Sequence, residues 1–264
     1  STSDDSTGKR RGELFRTHQV MLEFENYKTK DRSTLYLGYH DKADEGLDKY
    51  DQYFPPGKFR DVDIVLMNGK PDSRNGRLLA DVRPSIAQGQ RYNVNVNARS
   101  ATTLAVKSFL DNELSAHELY LVNRRIGKFY NLRDNQTAYV DVVAGKNEFE
   151  LLVGALHFIE DIKSTTLPQQ AALLGGYPNP FNQRVALEIA IPGDKEELQH
   201  ALIEVYNVAG QYVDTVLERE LSPGLHKVVW DLEQQQANMP SGVYFMRMVL
   251  ESGFSETTGV VHIK

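Results

Sequence analysis

The sequence predicts an all-β protein of two consecutive antiparallel β-sandwich domains, on three observations. Apolar residues recur with a period of two, as in Val20, Leu22 and Phe24, or in Tyr92, Val94, Val96 and Ala98 set between Arg91, Asn93, Asn95, Asn97 and Arg99. That alternation marks strands with one buried face. Gly, Pro, Asn and Asp clusters separate the runs at short spacing, which favours antiparallel neighbours over strands alternating with helices. No segment of the first half carries the period of a long helix.

Taken in order, residues 1–16 hold Ser, Thr, Asp, Gly, Lys and Arg with almost nothing to bury, and they read as a flexible arm or linker. Residues 17–155 read as the first sandwich. Its strands follow at Leu35–His40, Val62–Met67, Leu78–Val82, Leu104–Phe109, Glu118–Asn123, Lys128–Leu132, Ala138–Val143 and Glu148–Val153. The alternation breaks over 156–172, where a short apolar stretch gives way to Ser-Thr-Thr, Pro and Gln, and this segment reads as a linker. Residues 173–264 resume the pattern at Val185–Ile191, Leu202–Val208, Tyr212–Leu217, Leu225–Leu232, Val243–Leu250 and Gly259–Lys264. Short strands joined by Pro-Gly and Pro-Ser-Gly turns predict a second sandwich that is immunoglobulin-like.

Composition removes several classes of function. The 264 residues carry 30 Lys and Arg against 36 Asp and Glu, a formal net charge of -6. A mildly acidic surface repels phosphate backbones, so no nucleic-acid partner is expected. No cysteine occurs, which excludes disulfides, thiolate nucleophiles and Cys-ligated metals. No apolar run reaches the roughly 18 residues of a membrane-spanning helix, and the opening STSDDSTGKRRGE is too polar for a signal peptide. The chain reads as cytosolic or as a processed piece.

Four motifs punctuate the second half. In Tyr177-Pro178-Asn179-Pro180-Phe181-Asn182, two prolines fix φ and extend the residues before them, so Tyr177 and Phe181 are expected to pack as anchors around a rigid Asn179. Asn207 and Gly210 bracket a tight turn. Trp230, the only tryptophan, alternates with His226 and Val228 and is expected at the centre of the core. Pro240-Ser241-Gly242-Val243-Tyr244-Phe245 opens a further strand, and the last one ends at Lys264.

This ordered series, over about Leu173 to Lys264, resembles the C-terminal sorting domain of type IX (Por) secretion substrates, a relative of the immunoglobulin-like domain of flagellar hook-capping proteins. The resemblance implies a domain read by the outer-membrane secretion machinery, on a secreted or cell-surface protein. By resemblance its motif residues are Tyr177, Pro178, Asn179, Pro180, Phe181, Asn182, Gly210, Gly242, Tyr244 and Lys264. Gln183 departs from the Pro or small polar residue usual in that family. Gly38–Tyr53, with Leu78–Gly89 after it, resembles a β-sandwich module that stands before such sorting domains in surface proteins of the Bacteroidetes.

Signatures of catalysis are missing. The seven histidines stand at no i, i+4 spacing, and no GxSxG elbow, P-loop or GxGxxG occurs; no enzymatic activity is expected. The acidic loop carries Asp41, Asp44, Glu45, Asp48 and Asp51, either as hard oxygen ligands for calcium or as a solvated charged loop. Around it lie Tyr36, Tyr39, Tyr50, Tyr53, Phe54 and Phe59. Of these, Tyr39, Tyr50, Tyr53 and Phe54 are candidates to touch a glycan or a protein partner, against packing on the sandwich edge beneath Pro55 and Pro56. The sequon Asn135-Gln136-Thr137 marks an exposed turn. The expected function is the non-enzymatic C-terminal portion of an exported surface protein, whose partners include an upstream domain or neighbouring subunits. A carbohydrate-binding or adhesive module, and a subunit of an extracellular filament or surface layer, are the alternatives.

Overall fold

The computed structural model of the protein describes residues 18–54, 61–68, 76–84, 89–133, 137–232 and 239–264. The arm expected over 1–16 lies outside them, as do Pro55, Pro56, Phe59, Asn135 and Gln136. The chain divides into two compact units, residues 1–123 with 129–165, and residues 124–128 with 166–264. Both are built from strands.

The first contains β1 (His18–Asn26), β2 (Arg32–Tyr39), β3 (Gln52–Tyr53), β4 (Val62–Met67), β5 (Arg77–Arg83) and β6 (Gln90–Ala98). After these come β7 (Thr102–Leu110), β8 (Glu118–Asn123), β9 (Lys128–Asn131), β10 (Ala138–Val142) and β11 (Gly145–Gly154). Among the described residues they form one continuous sheet in the order β10-β7-β1-β2-β5-β4-β6-β11-β8-β9, with β3 against β5. Alternation places Val20, Leu22 and Phe24 of β1 in one core with Leu119 and Leu121 of β8 and Val140 of β10. Strands near both ends of the order thus meet inside it, and the sheet wraps around its own apolar face.

The pairing differs from the antiparallel arrangement expected for this half at one point. Strands β2 and β5 run parallel, with Tyr36 opposite Ala80 and Gly38 opposite Val82. A parallel pair needs a long connection, and the chain between Tyr39 and Arg77, which includes β3 and β4, supplies it.

The segment expected as a linker also differs, because Leu156–Thr165 is a ten-residue helix, α1. Ile159 and Ile162 share a helix face with Phe158 and bury themselves on Val122 of β8 and Leu152 of β11, the outer side of the sheet. Phe158 fits because Gly154 has no side chain: a Cβ there would stand 2.6 Å from the Phe158 ring.

The second unit contains β12 (Ala172–Tyr177), β13 (Arg184–Ile191), β14 (Gln199–Asn207), β15 (Tyr212–Leu221), β16 (Gly224–Asp231), β17 (Gly242–Leu250) and β18 (Ser255–His262). They make a three-stranded sheet, β12-β13-β16, and a four-stranded sheet, β15-β14-β17-β18. Every pairing within these two sheets is antiparallel. Val185, Leu187, Ile189 and Trp230 of the first sheet and Ile203, Val205, Met246 and Met248 of the second share one core. Trp230 is 1% exposed, as its alternation predicts. Burying side chains of this size stabilises the unit by about 1.5–3 kcal/mol each before entropy is counted.

Candidate functional site

The motif Tyr177–Asn182 links β12 to β13 and is fastened along the edge of β18. Both of its X–Pro bonds, Tyr177–Pro178 and Asn179–Pro180, are cis. Asn179 Oδ1 accepts the Val261 N–H at 2.8 Å, and Asn179 Nδ2 donates to the Gly259 carbonyl at 3.3 Å. A side-chain amide thus serves the last strand as the peptide group of a neighbouring strand would. Phe181 continues the edge with its own main chain. Its N–H donates to the Val261 carbonyl and its carbonyl accepts the Ile263 N–H, both at 2.8 Å.

Inside this seam the Phe181 ring is 1% exposed. Its centroid lies 5.6 Å from that of Trp230 and 5.2 Å from that of His262, and Tyr244 meets Trp230 edge-on at 5.7 Å. Three polar atoms of these rings find partners. Trp230 Nε1 donates to Asp214 at 2.7 Å, and Tyr244 Oη donates to the Pro240 carbonyl at 2.9 Å. His262 Nδ1 stands 3.1 Å from the same carbonyl. Burial raises the Tyr244 phenol above its ordinary pKa, which keeps it a donor.

Tyr177 corrects the expectation of two anchors, because it is 80% exposed. The inward position on β12 belongs to Gly176, where a Cβ would come within 2.6 Å of Val185 and 2.9 Å of Val260. One residue further along a strand, the side chain faces the other way. Pro178, Asn179, Pro180 and Asn182 are also exposed.

The other motif residues fall into place separately. Gly210 has φ +74° and ends the turn in which Asn207 Oδ1 accepts the N–H groups of Ala209 and Gln211. Gly242 opens β17 with open space where a Cβ would stand. The Lys264 N–H donates to Ser241 Oγ at 3.0 Å.

In the first unit, the acidic loop ties itself down. Asp48 Oδ2 accepts the Asp44 N–H at 2.7 Å, and Asp51 accepts the N–H groups of Asp48 and Val82, both at 2.9 Å. Glu45 accepts from Gln90 Nε2 at 3.0 Å and lies 3.7 Å from the Arg83 guanidinium. Asp41 stands 3.2 Å from His40 Nδ1. Among the described residues, no three His, Asp or Glu side chains gather into a group that could hold a metal ion. The five carboxylates offered as possible calcium ligands are therefore not brought to a common centre among the described residues; backbone N–H groups engage Asp48 and Asp51, and Arg83 and Gln90 engage Glu45.

Of the four aromatic candidates, Tyr53 alone is exposed. Tyr50 stacks on His40 at 4.3 Å, the Arg77 guanidinium lies 5.4 Å over Phe54, and Tyr39 Oη accepts from Tyr92 Oη at 3.0 Å. Beneath them is a polar cluster that sequence reasoning missed. Asp81, 1% exposed, receives Nε and Nη2 of Arg83, each at 3.1 Å, and the same guanidinium sits 4.0 Å over the Tyr92 ring. Burial pushes the Asp81 and Asp51 carboxyls above the usual carboxylate range. The signal available was a carboxylate inside an apolar strand, Leu78-Leu79-Ala80-Asp81-Val82. Mutual satisfaction of this kind supports the fold.

Among the described residues no helix is long and apolar enough to cross a membrane. No curated protein and no solved structure is significantly similar to the chain. Residues 176–262 match the family of the secretion system C-terminal sorting domain. That span takes in the fastened motif, the Asn207–Gly210 turn, Trp230 and Tyr244. Over these residues the chain carries the sorting domain of a type IX secretion substrate, the mark of a secreted or cell-surface protein.

Proposed function

We propose that the second unit is the address by which the outer-membrane secretion machinery exports and attaches this protein, and that the first is a non-catalytic accessory or stalk module it carries. The observation behind the first half is the seam between Tyr177–Asn182 and β18, which lies within the residues matched by the sorting-domain family. For the second half, the support is that Asp48, Asp51, Asp81 and Arg83 are engaged by the backbone or by one another. Catalysis needs groups that are held but free to react.

The test fuses residues 166–264 to a reporter in a type IX-competent bacterium. Surface display of the reporter is expected, and its retention in the periplasm would defeat the reading. For the first unit, a glycan array probed with the whole chain separates a stalk from an adhesive module. Binding that Tyr53→Ala abolishes would replace the stalk role with glycan recognition.

A further inference from the structure

The second unit is discontinuous in sequence. Besides residues 166–264 it contains 124–128, the turn between β8 and β9, which lies well before the span 176–262 that matches the sorting-domain family. Four features of the unit engage that turn. Ile126, 3% exposed, packs with Ala172 of β12 and Ala190 of β13, and Leu174 borders them. The Arg125 carbonyl accepts the N–H groups of both Gln169 and Gln170, at 2.9 and 3.0 Å. Gly127 has φ +67° and lies so close to Pro168 that a Cβ would stand 3.1 Å from it. Lys128 Nζ donates to the Glu188 carboxylate of β13.

The two alanines face away from the core. Leu173 and Ile189, their neighbours along β12 and β13, belong to that core, and successive residues of a strand point to opposite sides. A small residue on the outer side of a sheet ordinarily stands in water, yet Ala190 is 0% exposed. Ile126 is what covers it. Ala172 stands opposite Ala190, and Leu174 opposite Glu188, so two methyl groups make a shallow floor bordered by one apolar and one acidic side chain.

Each part of this surface selects one residue of the turn. The alanine floor admits a branched aliphatic side chain, whose burial removes apolar area from water. Pro168 leaves room for glycine at the next position, and Glu188 takes a cation at the one after it through a charge-assisted hydrogen bond. Residues 166–264 without the turn would leave Ala172 and Ala190 bare and the Gln169 and Gln170 N–H groups to water.

We infer that the outer face of β12 and β13 is a docking surface for a turn of the form apolar–Gly–Lys, filled by Ile126-Gly127-Lys128 of this chain, and that this turn completes the fold of the sorting unit. Completion of this kind holds whether or not the unit directs export. Because β8 and β9 carry the two ends of the turn, the second unit reaches full stability only in a chain that has paired those strands.

The test measures amide hydrogen exchange by mass spectrometry on the purified full chain. Ile126→Ser is expected to speed exchange in 172–177 and 184–191 by about tenfold or more and to leave β1 and β7 at parental rates. Ile126→Val, which keeps a branched aliphatic, should retain parental protection, as should Arg125→Ser, whose side chain is exposed and whose carbonyl is unchanged. If Ile126→Ser unfolds the whole chain, Lys128→Ala decides, with exchange in 184–191 expected to rise severalfold. A rise confined to 118–131, or parental exchange of β12 and β13 in these variants, overturns the docking surface. Protection of β12 and β13 that falls on dilution of the parent chain assigns the face to a second copy and also overturns it.

Discussion

The side chain of Asn179 is bonded to the main chain of Val261, accepting its N–H at 2.8 Å across 82 positions of sequence. Aspartate in its place would keep that acceptor but lose the donor that reaches the Gly259 carbonyl. Alanine would lose both. The Asn179→Ala variant is expected to lower the stability of the second unit by about 1 kcal/mol, the net worth of a partly exposed hydrogen-bonded group. For a domain of this size that is a fall of roughly 4–8 °C in melting temperature. Trp230 is the only tryptophan and is buried in that unit, so its fluorescence reports the transition selectively. An unchanged midpoint would show that the seam holds without Asn179.

The two motif glycines should respond unequally to alanine. Gly210 has φ +74°, a conformation that a Cβ disfavours, and Gly210→Ala is expected to cost about 1 kcal/mol. Gly242 lies outside that region and faces open space, so Gly242→Ala should stay within about 0.5 kcal/mol of the parent. Urea denaturation of both variants distinguishes them. Equal losses would show that Gly242 answers to a constraint other than backbone conformation.

Acidity should act on the first unit through Asp51. Burial raises its folded pKa against the two backbone N–H groups that it accepts, and the unfolded value lies near 3.9. The folded state therefore binds more protons than the unfolded state between those values. The contribution of this carboxyl is fully present below about pH 3.9 and is lost as pH rises through the raised folded value. Asp51→Asn, which keeps one acceptor oxygen, should remove that part of the pH dependence of the unfolding free energy. If the variant shows the parental slope across this window, Asp51 does not titrate as described.

Calcium should leave the acidic loop unaffected, because Asp48 and Asp51 already hold backbone N–H groups. Melting curves with millimolar calcium and with a chelator are expected to coincide. Asp48→Ala, by contrast, releases the N–H groups of Asp44 and Tyr50 and should speed proteolysis within residues 41–51 severalfold. A calcium-dependent rise in melting temperature, abolished by Asp48→Ala, would restore the metal reading.

Strand positions were legible because alternation is a local property. Val62–Met67 and Glu118–Asn123 fall where the sequence places them, and β13, β15, β16 and β17 begin within one residue of expectation. The missed elements have weak or competing local patterns. In β12, two glycines replace the side chains that would have shown its period, and Gly176 is there because Val185 and Val260 approach so closely. In α1, the apolar residues are few and follow directly on the last strand of the sheet. Pairing was less legible still. Nothing in β2 or β5 alone says that they run parallel, since that depends on how the intervening chain crosses. The site divides along the same line. The motif residues were readable as a group, but that Phe181 turns inward and Tyr177 outward follows from which residue of β12 faces the core.

One consequence follows from the main-chain bonds between Phe181 and Ile263. They join the opening of the sorting domain to its final strand, so this closure cannot form while residue 263 is still inside the ribosome. Any chain cut between Phe181 and Ile263 loses the clasp, because its two halves then sit on separate pieces.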